Sequence, residues 1–167
     1  MDNNNYKEIL NYAMNMELKA KEFYTFYKDR VVNDSVKKLF AELSEMEDDH
    51  YNILKKQLDS VDKDGKFAEV DIELDGGEDI IEEAGKDLEN VNLEYDLADF
   101  PILRMAYAME ADFAQFYQKA AEKAEDPNAK KLLKVLTKWE INHRDSFEQQ
   151  LKMAQKETWF ENSFSPF

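Results

Sequence analysis

The chain has 167 residues, 35% of them charged and 43% hydrophobic, with a formal net charge of −15 and no cysteine. That length and apolar fraction suit one folded domain with a real core rather than a disordered chain. The acidity excludes a nucleic-acid binder, whose affinity comes from Lys and Arg on phosphate, and the missing thiols exclude disulfides, thiolate metal sites and iron–sulfur centres.

The start, Met1-Asp2-Asn3-Asn4-Asn5, carries neither the basic nor the apolar region of a secretion signal, and no later apolar run approaches the length of a membrane span. No membrane association is expected, and a cytoplasmic location is. The first predicted helix covers residues 4–31. Leu10, Ala13, Glu17, Ala20, Tyr24, Tyr27 and Val31 recur at alternating spacings of three and four, which keeps them on one face. A turn at Val32-Asn33-Asp34 leads to a second helix over 35–60, with Val36, Phe40, Leu43, Glu47, His50, Leu54 and Gln57 along its seam.

Residues 61–98 read as a connector. All four glycines, Gly65, Gly76, Gly77 and Gly85, fall in it, whereas helix interiors avoid glycine because it costs about 1 kcal/mol there relative to alanine. Fifteen acids and three lysines lie between Val61 and Phe100, so most of the net charge belongs to this stretch, read as a solvated surface. It is too long for a tight turn and long enough to run the length of a helix bundle, delivering the chain to the far end before the third helix starts. Within it, 78–89 is expected to form a short helix and 67–74 to be extended.

The third helix is predicted over 99–124, with Leu103, Ala106, Glu110, Phe113, Tyr117, Ala120 and Ala124 on its seam, and the fourth over 128–156, with Ala129, Leu133, Leu136, Glu140, His143, Phe147 and Gln150. Pro101 and Pro127 sit in first turns, where a missing amide hydrogen is harmless, and Asp126 is a natural N-cap. The final stretch, 157–167, holds Trp159, Phe160, Phe164 and Phe167. It is too aromatic for a free tail and is expected to pack on the bundle or on a second copy, as in a homodimer.

The second pair of helices repeats the first. An offset of 93 residues maps Glu17 onto Glu110, Glu47 onto Glu140 and His50 onto His143, and the same register pairs Ala13 with Ala106, Phe23-Tyr24 with Phe116-Tyr117, and Lys37-Lys38-Leu39 with Lys130-Lys131-Leu132. One ungapped register fixes the architecture more firmly than local propensity. The expected fold is an all-α four-helix bundle built from two hairpins, 4–60 and 99–156, joined by one long crossover, the topology of ferritin-like bundles.

Those six residues are the chain's two Glu-x-x-His units, which contain its only two histidines, and the lone Glu preceding each. Residues three apart on a helix share a face, so Glu47 with His50 and Glu140 with His143 can each serve one metal ion. Four carboxylates match the charge of two divalent cations, with one imidazole completing each shell. Without cations, four acids against two histidines do not balance in an apolar seam. Oxygen and imidazole donors suit iron or manganese, and bridging glutamates hold two ions close enough to act together on dioxygen or peroxide. Tyr24 and Tyr117, two turns beyond Glu17 and Glu110, either fill the core or hydrogen-bond carboxylates of the opposite hairpin and fix their orientation.

The combination of Ala-x-x-x-Glu-x-x-Ala-x-x-Phe-Tyr in the first helix with Glu-x-x-His in the second and fourth resembles the rubrerythrin branch of the ferritin-like superfamily, over both hairpins. The resemblance implies a di-iron centre held by Glu17, Glu47, His50, Glu110, Glu140 and His143, with Glu47 and Glu140 as bridges. It also implies reduction of hydrogen peroxide or dioxygen and a part in oxidative stress. Two departures have consequences. Rubrerythrins proper carry a cysteine-ligated rubredoxin module, so here a separate electron donor is expected. Their third helix adds a glutamate one turn after the first, where this chain has Phe113, matching Ala20 of the first copy; the site is then more symmetric, and redox-linked movement of an iron is not implied. Ferritin-like iron oxidation and a substrate-oxidising di-iron enzyme remain as alternatives, since one ligand set serves all three.

Overall fold

The computed structural model of the chain describes residues 3–70 and 98–163, with side chains through Gln155. Four α-helices make up the bundle: α1 (Asn3–Tyr27), α2 (Asp34–Asp64), α3 (Asp99–Lys123) and α4 (Pro127–Ser163). Helix α1 packs along α2 and α3 along α4, and the two hairpins meet with α1 beside α3. The architecture is the all-α four-helix bundle expected of the two repeated hairpins. The expected helix at 78–89 lies outside the described residues, as does most of the extended stretch at 67–74. Among the described residues no helix is long and apolar enough to cross a membrane.

Helix ends follow from where backbone groups find partners. Asn33 caps α2 by accepting hydrogen bonds from the amides of Ser35 and Val36 at 3.0 and 3.1 Å, and Asp126 caps α4 in the same way through Asn128 and Ala129 at 2.8 and 3.0 Å. These two caps are themselves 93 residues apart. Helix α2 stops at Gly65, whose φ of 69° is left-handed and would strain a residue bearing a Cβ. Three lengths differ from expectation. Helix α2 runs on to Asp64 rather than ending at 60, so residues 61–64 belong to the helix and not to the connector. Helix α1 ends at Tyr27 rather than at 31, and α4 continues to Ser163 rather than ending at 156. After Tyr27 the chain makes an irregular turn in which Lys28 and Val31 still bond back to Tyr24 and Tyr27, and beyond it the amides of Val32 and Asn33 are taken by the Asp99 carboxylate, so no further helical turn forms.

Asp99 is fully buried and, at the start of α3, clasps the α1–α2 turn through hydrogen bonds of 2.8 to 2.9 Å. Tyr6, its partner in the repeat, does the same at the opposite end. Its hydroxyl accepts from the amides of Glu125 and Asp126, in the α3–α4 turn, at 2.9 and 3.0 Å. Each hairpin therefore closes the other's turn, with a carboxylate on one side and a phenol on the other. Phe67 packs edge-on to Tyr6, and the Ala68 amide donates to Gln57, so the chain leaving α2 is pinned before it departs.

The core is continuous through the bundle. Leu10, Leu54, Leu103, Leu132, Leu133 and Leu136 are buried to 1% exposure or less, and each such side chain contributes roughly 1.5–3 kcal/mol relative to exposure. Pseudo-symmetry breaks in its filling. Tyr24 lies against Phe40 and Phe147, with ring centroids 5.3 and 5.9 Å away, whereas the repeat places Leu133 and Leu54 at the corresponding positions around Tyr117.

Candidate metal centre

At mid-bundle the apolar seams are interrupted by one polar layer. Helix α1 brings Glu17, α2 brings Glu47 and His50, α3 brings Glu110, and α4 brings Glu140 and His143. All four glutamates are fully buried and both histidines are 3% exposed. The structure thus converges all six residues that the sequence singles out. Glu17, Glu47, His50 and Glu140 each offer a donor atom within 4.8 Å of the others, and so do Glu47, Glu110, Glu140 and His143. Glu47 and Glu140 are common to both groups; Glu17 and Glu110, like the two histidines, belong to one each.

The contacts reproduce the repeat. His50 Nδ1 lies 3.0 Å from Glu47, 3.3 Å from Glu140 and 3.7 Å from Glu17. His143 Nδ1 lies 3.2 Å from Glu47, 3.5 Å from Glu140 and 3.6 Å from Glu110. The two imidazoles are nearly parallel, with centroids 5.5 Å apart and planes inclined by 8°. Tyr24 donates its hydroxyl hydrogen to Glu110, and Tyr117 donates to Glu17, so each phenol orients the lone glutamate of the other hairpin. Of the two roles open to these tyrosines, core filling and carboxylate orientation, the geometry has both.

Electrostatics sort the acids into two kinds. Burial, reinforced by the neighbouring glutamates, pushes Glu17 and Glu110 well above the ordinary carboxylate range. Burial pushes Glu47 and Glu140 the same way, but contact with both histidines outweighs it and holds them below that range. Both imidazoles are raised well above their ordinary value: burial opposes this, and the facing carboxylates overcome it. Burial and the adjacent carboxylates keep both tyrosines firmly protonated. Without metal, the layer thus favours charge on Glu47, Glu140 and the two imidazoles and disfavours it on Glu17 and Glu110.

Hydrogen bonding within the metal-free layer is incomplete. One oxygen each of Glu17, Glu47 and Glu110, both oxygens of Glu140 and both ring nitrogens of His143 are buried without a hydrogen-bond partner. Such atoms carry a desolvation penalty of about 1–3 kcal/mol each. Cations supply the missing partners, and a donor set of carboxylate oxygen and imidazole nitrogen fits divalent first-row metals. The cluster can hold metal ions, and its residues fit them. Phe113, standing where a further glutamate would be, is 8% exposed and belongs to the apolar core, so it offers the layer no ligand.

Sequence reasoning missed one neighbour. The indole of Trp139, on α4, stacks on the His50 imidazole with centroids 4.8 Å apart and planes 8° from parallel. A signal was present: Trp139 falls where the first copy has Met46, so the repeat breaks directly beside a histidine-bearing motif.

Comparison with known proteins agrees with this geometry. A sequence model of the rubrerythrin family matches residues 8–151. No curated protein matches. Among solved structures, a hypothetical protein from Pyrococcus furiosus superposes with a TM-score of 0.63 over 90% of each chain at 23% identity, which shows a shared fold.

Proposed function

Since the chain belongs to the rubrerythrin family, we propose that it is a di-iron carboxylate oxidoreductase that reduces hydrogen peroxide or dioxygen with electrons from a separate donor. The observation that carries this reading is the pair of four-residue groups sharing Glu47 and Glu140. Under it, Glu17 and His50 serve one ion, Glu110 and His143 the other, and Glu47 and Glu140 lie between them. Two ferrous ions held there would supply the two electrons that, with two protons from solvent, reduce one peroxide to two waters.

The remaining work falls to the chain. Tyr24 and Tyr117 hold Glu110 and Glu17 by hydrogen bonds in which the phenols keep their protons. Such outer partners fix ligand orientation. Phe40, Leu54, Leu133 and Phe147, all fully or almost fully buried, keep bulk water from the layer and so strengthen every charge interaction inside it. No cysteine lies in these residues, so electrons for repeated turnover come from outside them. Manganese satisfies the same donor set and is the alternative metal.

Rapid mixing of ferrous-loaded protein with hydrogen peroxide and with dioxygen tests the proposal. Oxidation of two irons per peroxide, faster than in Glu110→Ala, is the expected result, with continued turnover only when a reductant is added. Equal rates in protein and variant for both oxidants would leave metal binding without this chemistry, and uptake of many irons per chain would favour iron oxidation of the ferritin kind.

A further inference from the structure

The two halves of the cluster differ in what stacks on their histidines. His50 has two parallel aromatic neighbours, the indole of Trp139 at 4.8 Å and the imidazole of His143 at 5.5 Å, both inclined by 8°. It also has a hydrogen-bonding contact with Glu47 at 3.0 Å. In the other half, both ring nitrogens of His143 lack a hydrogen-bond partner, and the repeat puts Met46 where Trp139 stands. Methionine is unbranched, with three rotatable bonds, and adapts to its surroundings rather than fixing them. A flat indole stacked on an imidazole restricts rotation of that ring about its χ angles.

We propose that Trp139 is a positioning residue which pre-orders His50, so that the Glu17/His50 half of the centre takes the first metal ion and the Glu110/His143 half the second. This rests on the assignment of the six residues as ligands and adds an order of filling to it. A ligand already held in its bound orientation loses less rotamer freedom when the ion arrives. Both imidazoles are buried and parallel to each other, but only His50 has a second flat partner, the Trp139 indole, on top of that shared stack. Ordering one side chain sets the scale of the preference at about five-fold in affinity.

The repeat itself supplies the test. Metal-stripped full-length protein is crystallised with one equivalent of cobalt(II), and anomalous scattering at the cobalt edge gives the occupancy of each half. A solution titration gives the two stepwise affinities. The unsubstituted protein should place roughly two-thirds or more of the cobalt on the His50 half, as a five-fold ratio in intrinsic affinity requires. Trp139→Met should bring the halves to near equality. The exchange variant Met46→Trp/Trp139→Met, which conserves composition, should move the preference to His143, and Trp139→Phe, which keeps a ring, should retain most of it.

A purely structural role for the indole would lower stability in Trp139→Met without redistributing cobalt between the halves. Equal occupancy in the unsubstituted protein, or a preference unchanged in both Trp139→Met and the exchange variant, overturns the inference while leaving two ions on the six residues. Cobalt bound elsewhere, or not at all, overturns the ligand assignment as well.

Discussion

Glu17 and Glu47 are equally buried and both carboxylate, yet they are not equivalent, because Glu47 belongs to both four-residue groups and Glu17 to one. Replacing each by alanine should separate them. Glu17→Ala leaves Glu47, Glu110, Glu140 and His143 in place, so one ion should remain bound; Glu47→Ala removes a donor from both groups, so neither should be held well. An ion that binds only the folded state stabilises it by about 4 kcal/mol when present at a thousand times its dissociation constant. Two such ions are then worth about 8 kcal/mol, and at roughly 2–4 °C per kcal/mol for a chain of this size the loaded protein should melt about 16–32 °C above the stripped one. Glu17→Ala should show about half that difference and Glu47→Ala little of it. The Tyr117 hydroxyl loses its acceptor in Glu17→Ala, but this loss affects loaded and stripped protein alike and cancels from the difference. Metal content after desalting and paired melting curves give both quantities. If the two variants bind the same number of ions and melt with the same metal-dependent shift, the sharing of Glu47 between two ions is refuted.

Stripped protein should be most stable in mild acid. The stability from the raised pKa values of Glu17 and Glu110 is fully present below their ordinary 4.5 and lost as pH rises towards their folded values. That of His50 and His143 is lost as pH climbs from 6.5 through theirs. The lowered Glu47 and Glu140 contribute above 4.5, and their share is lost as pH falls. Melting temperatures of stripped protein should therefore fall between pH 6 and 8 while the shift on adding metal grows; greater stability at pH 8 than at pH 5.5 would contradict these assignments. Asp99→Ala should cost about 3 kcal/mol in urea unfolding, because the amides of Val32 and Asn33 lose the carboxylate that accepts from both. Tyr6→Phe, which removes the matching neutral acceptor, should cost roughly 1 kcal/mol, and an inverted order would show that the two clasps are not equivalent in role. Tyr117→Phe should weaken one ion about 10–100-fold through Glu17, and Tyr24→Phe the other through Glu110, with equilibrium titration against a chelating dye as the measurement.

Fold class and the polar layer were legible in the sequence for one reason: the repeat is ungapped. A helix carries its side chains at a fixed angular step, so Glu17, Glu47, His50, Glu110, Glu140 and His143 on apolar seams had to face inward at matching heights once each pair of helices was antiparallel. Helix ends were less legible. The turn at Val32 and Asn33 depends on Asp99, 67 residues beyond Val32 in sequence, and no local pattern reports so distant an acceptor. The upward shift of Glu17 and Glu110 was not legible either, since it comes from burial together with closeness to Glu47 and Glu140 that periodicity does not give.

What the repeat conserves and where it departs from itself carry different information. Positions that must meet the same chemical demand in both copies are kept: the two Glu-x-x-His units, the two lone glutamates, the two tyrosines that cross over to orient them, and the acidic or amide N-caps at Asn33 and Asp126. Positions that close the bundle are filled by different means, a carboxylate at Asp99 and a phenol at Tyr6, because any buried acceptor that reaches two turn amides satisfies them. Trp139 and Met46 fit neither class. Both are partly buried beside the cluster, where packing alone tolerates either side chain, and only the indole presents a flat face to a ligand ring. A departure at that position changes the surroundings of one of two ligand rings that the repeat keeps alike. Two ions in matched environments have no reason to bind in order or to hold their electrons differently, whereas a single stacked ring is enough to make them unequal.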